Sequence, residues 1–241
     1  MKFHPSSVGL LMTDAQSIDL SLVPPELQQV AAKARKTDAD KELLAPYKEM
    51  SLSAGAKTFL GKLAKEYAYG YHKVVETKYM DKGLRLENDA IALLNRVRFK
   101  NYVKNTERRV SEYLTGECDI YVPGVKTIDT KVSWDIDTFP ALSADAHDPL
   151  YEWQGRAYMK LWDVPQHEVA FVMLDTPEDM IKWEQPELHQ VSHHPAHMRI
   201  TSITYERDMT LEEKLDRKCA IAHAYLMRLV EQIRAEHEEQ L

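Results

Sequence analysis

Gly116-Glu117-Cys118-Asp119-Ile120-Tyr121-Val122-Pro123-Gly124-Val125-Lys126-Thr127-Ile128-Asp129-Thr130-Lys131-Val132 is the stretch on which the fold turns. β-Branched and aromatic residues crowd both sides of Pro123-Gly124, the composition of two strands joined by a tight connection. With residues 109–114 before them, 117–122 and 125–132 read as a three-strand meander. Two acids and a lysine interrupt the apolar strands. Asp129 and Lys131 are two apart and share a face, because strand side chains alternate. The position of Asp119 depends on register. A two-residue loop would pair it with Ile128 and turn it away from Asp129, whereas pairing Val122 with Lys126 sets Asp119 opposite Asp129. An odd-length connection or a bulge is therefore predicted in this hairpin.

Downstream, a polar loop with Pro140 and Pro149 leads to a predicted helix over 150–162, with Leu150, Trp153, Ala157 and Leu161 as its buried stripe and Gln154 and Tyr158 at the border. Residues 167–174 read as a strand buried on both faces, and 197–206 as a further strand. Thr210 with Glu213 forms a capping-box pattern that opens a last helix, whose stripe of Leu211, Leu215, Cys219, Ala222, Leu226, Leu229 and Ile233 is core or subunit interface.

Upstream, helices are predicted from Pro25 to about Lys36, from about Ser53 through Tyr71, and over 78–97. In the third, Met80, Leu84, Leu86, Ala90, Ile91, Leu93, Leu94 and Val97 cover half the circumference, and Glu87 falls on that apolar side. A carboxylate aimed at a core costs several kcal/mol unless a cation or donors meet it, or unless its head reaches water at the stripe's edge. Three such carboxylates and a lysine are expensive as structure but suit a hard Mg²⁺ ion, which takes carboxylate oxygens and keeps open water positions. The element order describes an α/β fold, a central mixed sheet flanked by helices, in one domain over 1–241: an N-terminal helical arm (1–50), a core (51–206) and a C-terminal helix (207–241).

Composition narrows the classes. The chain has 241 residues, 44% of them hydrophobic, enough for one sizeable core. No stretch reaches the roughly 20 apolar residues of a membrane helix, and Met1-Lys2-Phe3-His4-Pro5 does not open a signal peptide, so a cytoplasmic location is expected. Cys118 and Cys219 exclude a disulfide framework and a four-cysteine cluster. The net charge of -7 hides an asymmetry: residues 57–109 hold 13 Lys and Arg against 6 Asp and Glu, while 135–241 hold 10 against 21. One face can therefore meet a polyanion although the whole is acidic.

Taken in order, Gly83-x-x-x-Glu87-x-x-Ala90, Asp119 after Gly116, Asp129-Thr130-Lys131 and Gln154-Gly155-Arg156-Ala157-Tyr158 resemble the PD-(D/E)XK nuclease superfamily, and most closely its RecB-like, lambda-exonuclease-type phage recombination nucleases. The resemblance covers about residues 50–175. It implies a restriction-endonuclease-like core and Mg²⁺-dependent phosphodiester hydrolysis, with Mn²⁺ as a substitute, from the ends of double-stranded DNA in the 5′→3′ direction. By the same resemblance Glu87, Asp119, Asp129 and the Thr130 carbonyl would hold the metal, and Lys131 would position or activate water. Gln154 and Tyr158 would lie near the scissile phosphate, and Lys48, Ser53 and Arg85 would be further DNA contacts. Family members often place an arginine ahead of the second helix for a terminal phosphate; here the nearest residue is Lys48, which lacks the bidentate fork. A ring-like homo-oligomer such as a trimer, a single-strand annealing protein as partner, and a host-cell cytoplasmic setting are implied in the same way.

Two other readings stand beside this one: an endonuclease with the same core, and a DNA-binding scaffold whose centre is silent. His189, His193, His194 and His197 around Pro195 read as a polar surface loop, without a second ligand set at metal-site spacing. Tyr67, Tyr69, Tyr71 and Tyr79 among Lys62, Lys65, Lys73 and Lys78 fit either base stacking or core packing.

Overall fold

A computed structural model describes residues 1–238. The chain opens with five helices, α1 (Pro5–Met12), α2 (Pro25–Ala32), α3 (Asp38–Met50), α4 (Ala54–Tyr69) and α5 (Lys78–Arg98). Four strands follow: β1 (Arg109–Val110), β2 (Thr115–Gly116), β3 (Ile120–Val122) and β4 (Lys126–Val132). Then come α6 (Pro149–Trp162), β5 (Gln166–Val172), α7 (Glu178–Ile181), α8 (Pro186–His189), β6 (Ile200–Glu206) and α9 (Met209–Glu238). Local chemistry fixes many of the starts. Thr37, Ser53, Thr77 and Asp148 each accept a backbone N–H of the first turn they precede, filling donors that a helix start leaves unpaired. The last helix is capped two residues earlier than the Thr210–Glu213 pattern suggested: Asp208 accepts the N–H groups of Thr210 and Leu211, and Glu212 accepts from Arg207 at 2.8 Å.

The main sheet has the order β3-β4-β5-β6, antiparallel, parallel, antiparallel. In the hairpin Val122 faces Lys126 and Ile120 faces Ile128, so the connection is the predicted three residues, with Gly124 at φ 68° supplying the left-handed turn. The parallel β4–β5 pair is joined through α6, the crossover such a pair requires.

The predicted meander is not formed. Residues 109–116 make a separate two-stranded ribbon, β1 with β2. The place of a third strand is taken from far away: Phe3 bridges to Leu114, its N–H donates to Tyr113 O at 2.7 Å, and its carbonyl accepts from Thr115 N at 3.0 Å. The helix predicted to reach Lys36 ends at Ala32. The strand expected from 197 begins at Ile200, after a short 3₁₀ turn over Ala196–Arg199.

Helices cover both faces of the sheet. On one, α5 buries Ala90, Ile91, Leu93 and Leu94 against Ile120, Ile128, Ala170 and Val172. On the other, α6 brings Ala157, Tyr158, Met159 and Trp162 into a larger core with α1, α4 and α9. In α9, Leu215, Cys219, Ala222 and Leu226 are buried in that core. Each fully buried aliphatic or aromatic side chain contributes about 1.5–3 kcal/mol, so these two clusters hold the layers together. The expected N-terminal arm divides: Phe3, Val8, Leu11 and Met12 belong to the larger core, while Val23, Ala31 and Leu44 make a small cluster of their own. Buried Lys82 ties α5 to the strand ends by donating to the carbonyls of Ser133, Trp134 and Leu174 at 2.7, 2.8 and 2.9 Å. Burial pulls its ammonium down to about 8.

Candidate active site

The residues singled out on α5, before β3 and on β4 meet at one open cavity of about 1120 Å³. Glu87, Asp119, Asp129, Thr130 and Lys131 line it, with Trp134, Tyr151, Phe171 and residues 74–81, 83 and 84 around them. The hairpin register is the reason. β3 begins at Ile120, so Asp119 stands just outside the strand and reaches over to β4, where its Oδ2 accepts the Thr130 N–H at 2.6 Å and the Thr130 hydroxyl at 2.7 Å. Asp129, 4% exposed, points to the α6 side, where Gln154 Nε2 donates to its Oδ1 at 3.1 Å.

The other oxygen, Asp129 Oδ2, is buried without a hydrogen bond among the described residues. Lys131 Nζ stands 2.5 Å from it, close but outside hydrogen-bonding directions. The same ammonium lies 4.7 Å from the centre of the Tyr151 ring. Glu87, expected on the apolar side of its helix, is met there by Lys104 at 2.6 Å, which supplies the cation that such a carboxylate needs.

Charge is unevenly compensated. Burial pushes the Asp119 carboxyl up to about 7, the neighbouring Asp129 charge adds to this, and the two Thr130 bonds oppose it. Burial pulls the Lys131 ammonium down, but the Asp129 charge beside it outweighs burial and holds it above the ordinary lysine range. Asp129 thus favours the charged form of Lys131, which offers a point charge beside the carboxylates. Two carboxylates crowded beside one lysine, the Asp129 Oδ2 meeting only its ammonium, leave negative charge that a further cation could offset.

Several predicted residues lie elsewhere. Gln154 and Tyr158 are buried rather than at a helix border, and Leu150 is exposed. Tyr158 donates to Glu117 O at 2.9 Å and packs beside Trp162 and His167, so it supports the strand behind the site and faces no open space. The α6 backbone sits directly on His167. A Cβ at Gly155 would stand 2.2 Å from His167 Cδ2, which is why glycine follows Gln154. Ser53 is buried as the cap of α4, Lys48 is exposed on α3, and Arg85 is held by Asp81 and Asp179; none of the three lines the cavity.

Met80 and Leu84, read as core, are exposed on its wall, because α5 runs past the edge of the sheet there. Tyr67, Tyr69, Tyr71 and Tyr79 are exposed, which removes the core reading for them. His189, read as part of a surface loop, is fully buried. Lys104, Trp134 and Tyr151 were not singled out in the sequence; only the need of Glu87 for a partner hinted at a cation of the Lys104 kind.

No family model and no curated protein sequence matches the chain. Solved structures do. A phage-related exonuclease from Haemophilus somnus 129PT superposes with a TM-score of 0.79 and 32% identity over 97% of this chain and 96% of that one. The alkaline exonuclease LHK-Exo from Laribacter hongkongensis superposes with a TM-score of 0.64 and 14% identity, over 100% of this chain and 95% of that one. LHK-Exo in complex with dAMP gives 0.59 and 16%, over 80% and 90%. At those lower identities the likeness to LHK-Exo is one of fold.

Proposed function

The chain belongs to the phage-related exonuclease family, of the lambda-exonuclease type within the PD-(D/E)XK nucleases, and we propose that it hydrolyses phosphodiester bonds from the ends of double-stranded DNA in the 5′→3′ direction with Mg²⁺. The observation that carries this reading is the cavity in which Glu87, Asp119, Asp129 and Lys131 converge around a buried carboxylate oxygen with no hydrogen bond. That donor set is all oxygen and acidic, which fits a hard divalent cation, with Mn²⁺ as a substitute. Glu87, Asp119, Asp129 and the Thr130 carbonyl would hold it. When bound, such an ion lowers the pKa of water and offsets charge on phosphoryl oxygens.

The protein's own groups have separable tasks. Gln154 holds Asp129 by one oxygen and so fixes the direction of the other. Thr130 orients Asp119 by two bonds. Lys131, steadied against the Tyr151 face, places a positive charge where a phosphate oxygen and the attacking water would sit. Lys104 neutralises Glu87 until a cation replaces it. The basic 57–109 segment, which contributes Lys78 and the rest of the wall over residues 74–81, 83 and 84, draws in the polyanion. In this reading resection leaves a single strand for an annealing protein, and a ring of copies keeps the enzyme on its template.

The test follows end-labelled linear duplex and covalently closed circular DNA side by side, with Mg²⁺ and with EDTA, for the wild type and Lys131→Ala. Metal-dependent loss of the linear duplex alone, lost in the variant, is expected. Cutting of the circle would make the protein an endonuclease, and no turnover on either substrate would leave a binding scaffold.

A further inference from the structure

A second group of metal-ligating side chains lies outside the carboxylate centre, behind the wall that Trp134 and Thr138 give the cavity. Asp135, Glu184 and His189 each offer a donor atom, and the three atoms lie within 4.8 Å of one another. They come from three chain segments: the turn after β4, the stretch after α7, and the end of α8. Backbone hydrogen bonds tie the first and third of these to each other and to the stretch after β5, and the Trp134 indole N–H holds Glu184 of the second. Ile136 N donates to Leu188 O at 3.0 Å, and Thr176 N donates to His189 O at 3.1 Å.

The imidazole decides what the group is for. Thr176 Oγ1 lies 2.9 Å from Trp134 O and 3.0 Å from His189 Nδ1. A carbonyl only accepts, so the single hydroxyl hydrogen goes to Trp134 O, and Nδ1 must carry the hydrogen of the other bond. In the neutral ring Nε2 then bears a lone pair. That atom is fully buried, has no hydrogen-bond partner among the described residues, and lies 3.3 Å from Glu184 Oε2, off the hydrogen-bonding axis. A lone pair beside a carboxylate is repulsive unless positive charge, a proton on Nε2 or a bound cation, stands between them. Glu184 is itself held as an anion: Lys78 and the Trp134 indole N–H, 2.7 Å from Oε2, keep its carboxyl below the usual glutamate range.

We propose that Asp135, Glu184 and His189 form a second metal site, taking a zinc-class transition-metal dication, separate from the carboxylate centre. The donor set is one imidazole nitrogen and two carboxylates, softer than the all-oxygen centre across the wall and suited to such ions rather than to Mg²⁺. Tetrahedral bonds of roughly 2.0–2.2 Å put neighbouring ligand atoms about 3.4 Å apart, which the 3.3 Å between Nε2 and Oε2 already matches. The Nδ1–H bond to Thr176 is the outer contact that metal-bound histidines ordinarily make. A cation here joins three loops and fixes Trp134, whose indole N–H is bonded to one of the ligands. Its role is to stiffen the cavity wall.

The experiment titrates chelator-stripped full-length protein with Co²⁺ in a large excess of Mg²⁺ and follows visible d–d absorption. The wild type should give a stoichiometric, saturable band, and Asp129→Asn should keep it, because the carboxylate centre is not its source. His189→Gln and Glu184→Gln should lose it, and Thr176→Val should weaken binding by about tenfold. If His189→Gln does not fold by circular dichroism, Glu184→Gln, whose side chain is half exposed, decides. Absence of a band in the wild type, or the same band in Glu184→Gln, would overturn the site and leave His189 and Glu184 as an ion pair.

Discussion

Two buried charge clusters share the central sheet, and they are built to opposite rules. On β5 the Glu168 carboxylate, 2% exposed, has Arg98 at 2.6 Å on one oxygen and Lys126 at 2.6 Å on the other. Burial raises its pKa, but the two cations outweigh burial and hold it below the ordinary range. Glu87, Asp119 and Asp129, by contrast, have only Lys104 and Lys131 between them, and one carboxyl is pushed up to about 7. Both clusters are buried and both contain acids. What separates the proposed centre from the structural cluster is the balance of charge, three acids to two cations against one acid to two.

Breaking the two clusters should therefore give opposite results. Asp129→Ala is expected to lower nuclease turnover by at least about 10²–10³-fold while leaving the melting temperature unchanged or higher, since it removes a crowded anion. Glu168→Gln should do the reverse: roughly 3 kcal/mol lost in urea unfolding, because two partly buried cations lose their anion, with turnover of the folded fraction retained. Loss of activity in the Glu168 variant at full stability would dissolve the distinction.

The pH dependence sharpens the contrast. The Asp119 carboxyl is raised from 3.8 to about 7, so the folded protein keeps a proton that the unfolded chain releases. Its contribution is complete below pH 3.8 and is lost as pH rises to about 7. In EDTA the melting temperature of Asp119→Asn should accordingly fall less over that window than that of the wild type, and Mg²⁺ should remove the wild-type slope. Glu168 has the opposite sign, with stability lost as pH falls through its depressed value.

Smaller effects test the supports. Gly155→Ala drives a methyl into the buried His167 ring and should cost about 1–3 kcal/mol in thermal or urea unfolding, without altering metal specificity. Arg85→Ala, which breaks exposed pairs with Asp81 and Asp179, should change stability by under about 1 kcal/mol and leave DNA turnover as it was.

What could be read in advance followed from short-range periodicity. Asp129 and Lys131 are two apart on a strand, Asp119 needed a particular register, and Glu87 broke an apolar helical stripe; each irregularity is visible within a few residues. The sheet and its flanking helices follow from the same patterns. The misreadings come from partners distant in sequence. The 109–114 stretch has strand composition, but Phe3 takes the place the next strand was expected to fill. Met80 and Leu84 continue the stripe of α5 after the sheet beneath it has ended. Gln154 and Tyr158 sit within a broad buried face rather than at its border, because α6 packs on both the sheet and the α1 helix. Lys82 looks like any surface lysine until the strand ends deliver three carbonyls to it.

The indole of Trp134 has one more consequence. It lies on the cavity wall, with the Lys78 ammonium 4.2 Å from its ring and Glu184 on its N–H. Trp183, by contrast, is fully exposed. The molecule carries four indoles, and the difference in emission between the wild type and Trp134→Phe isolates the one on the cavity wall, so that filling the cavity should change its colour.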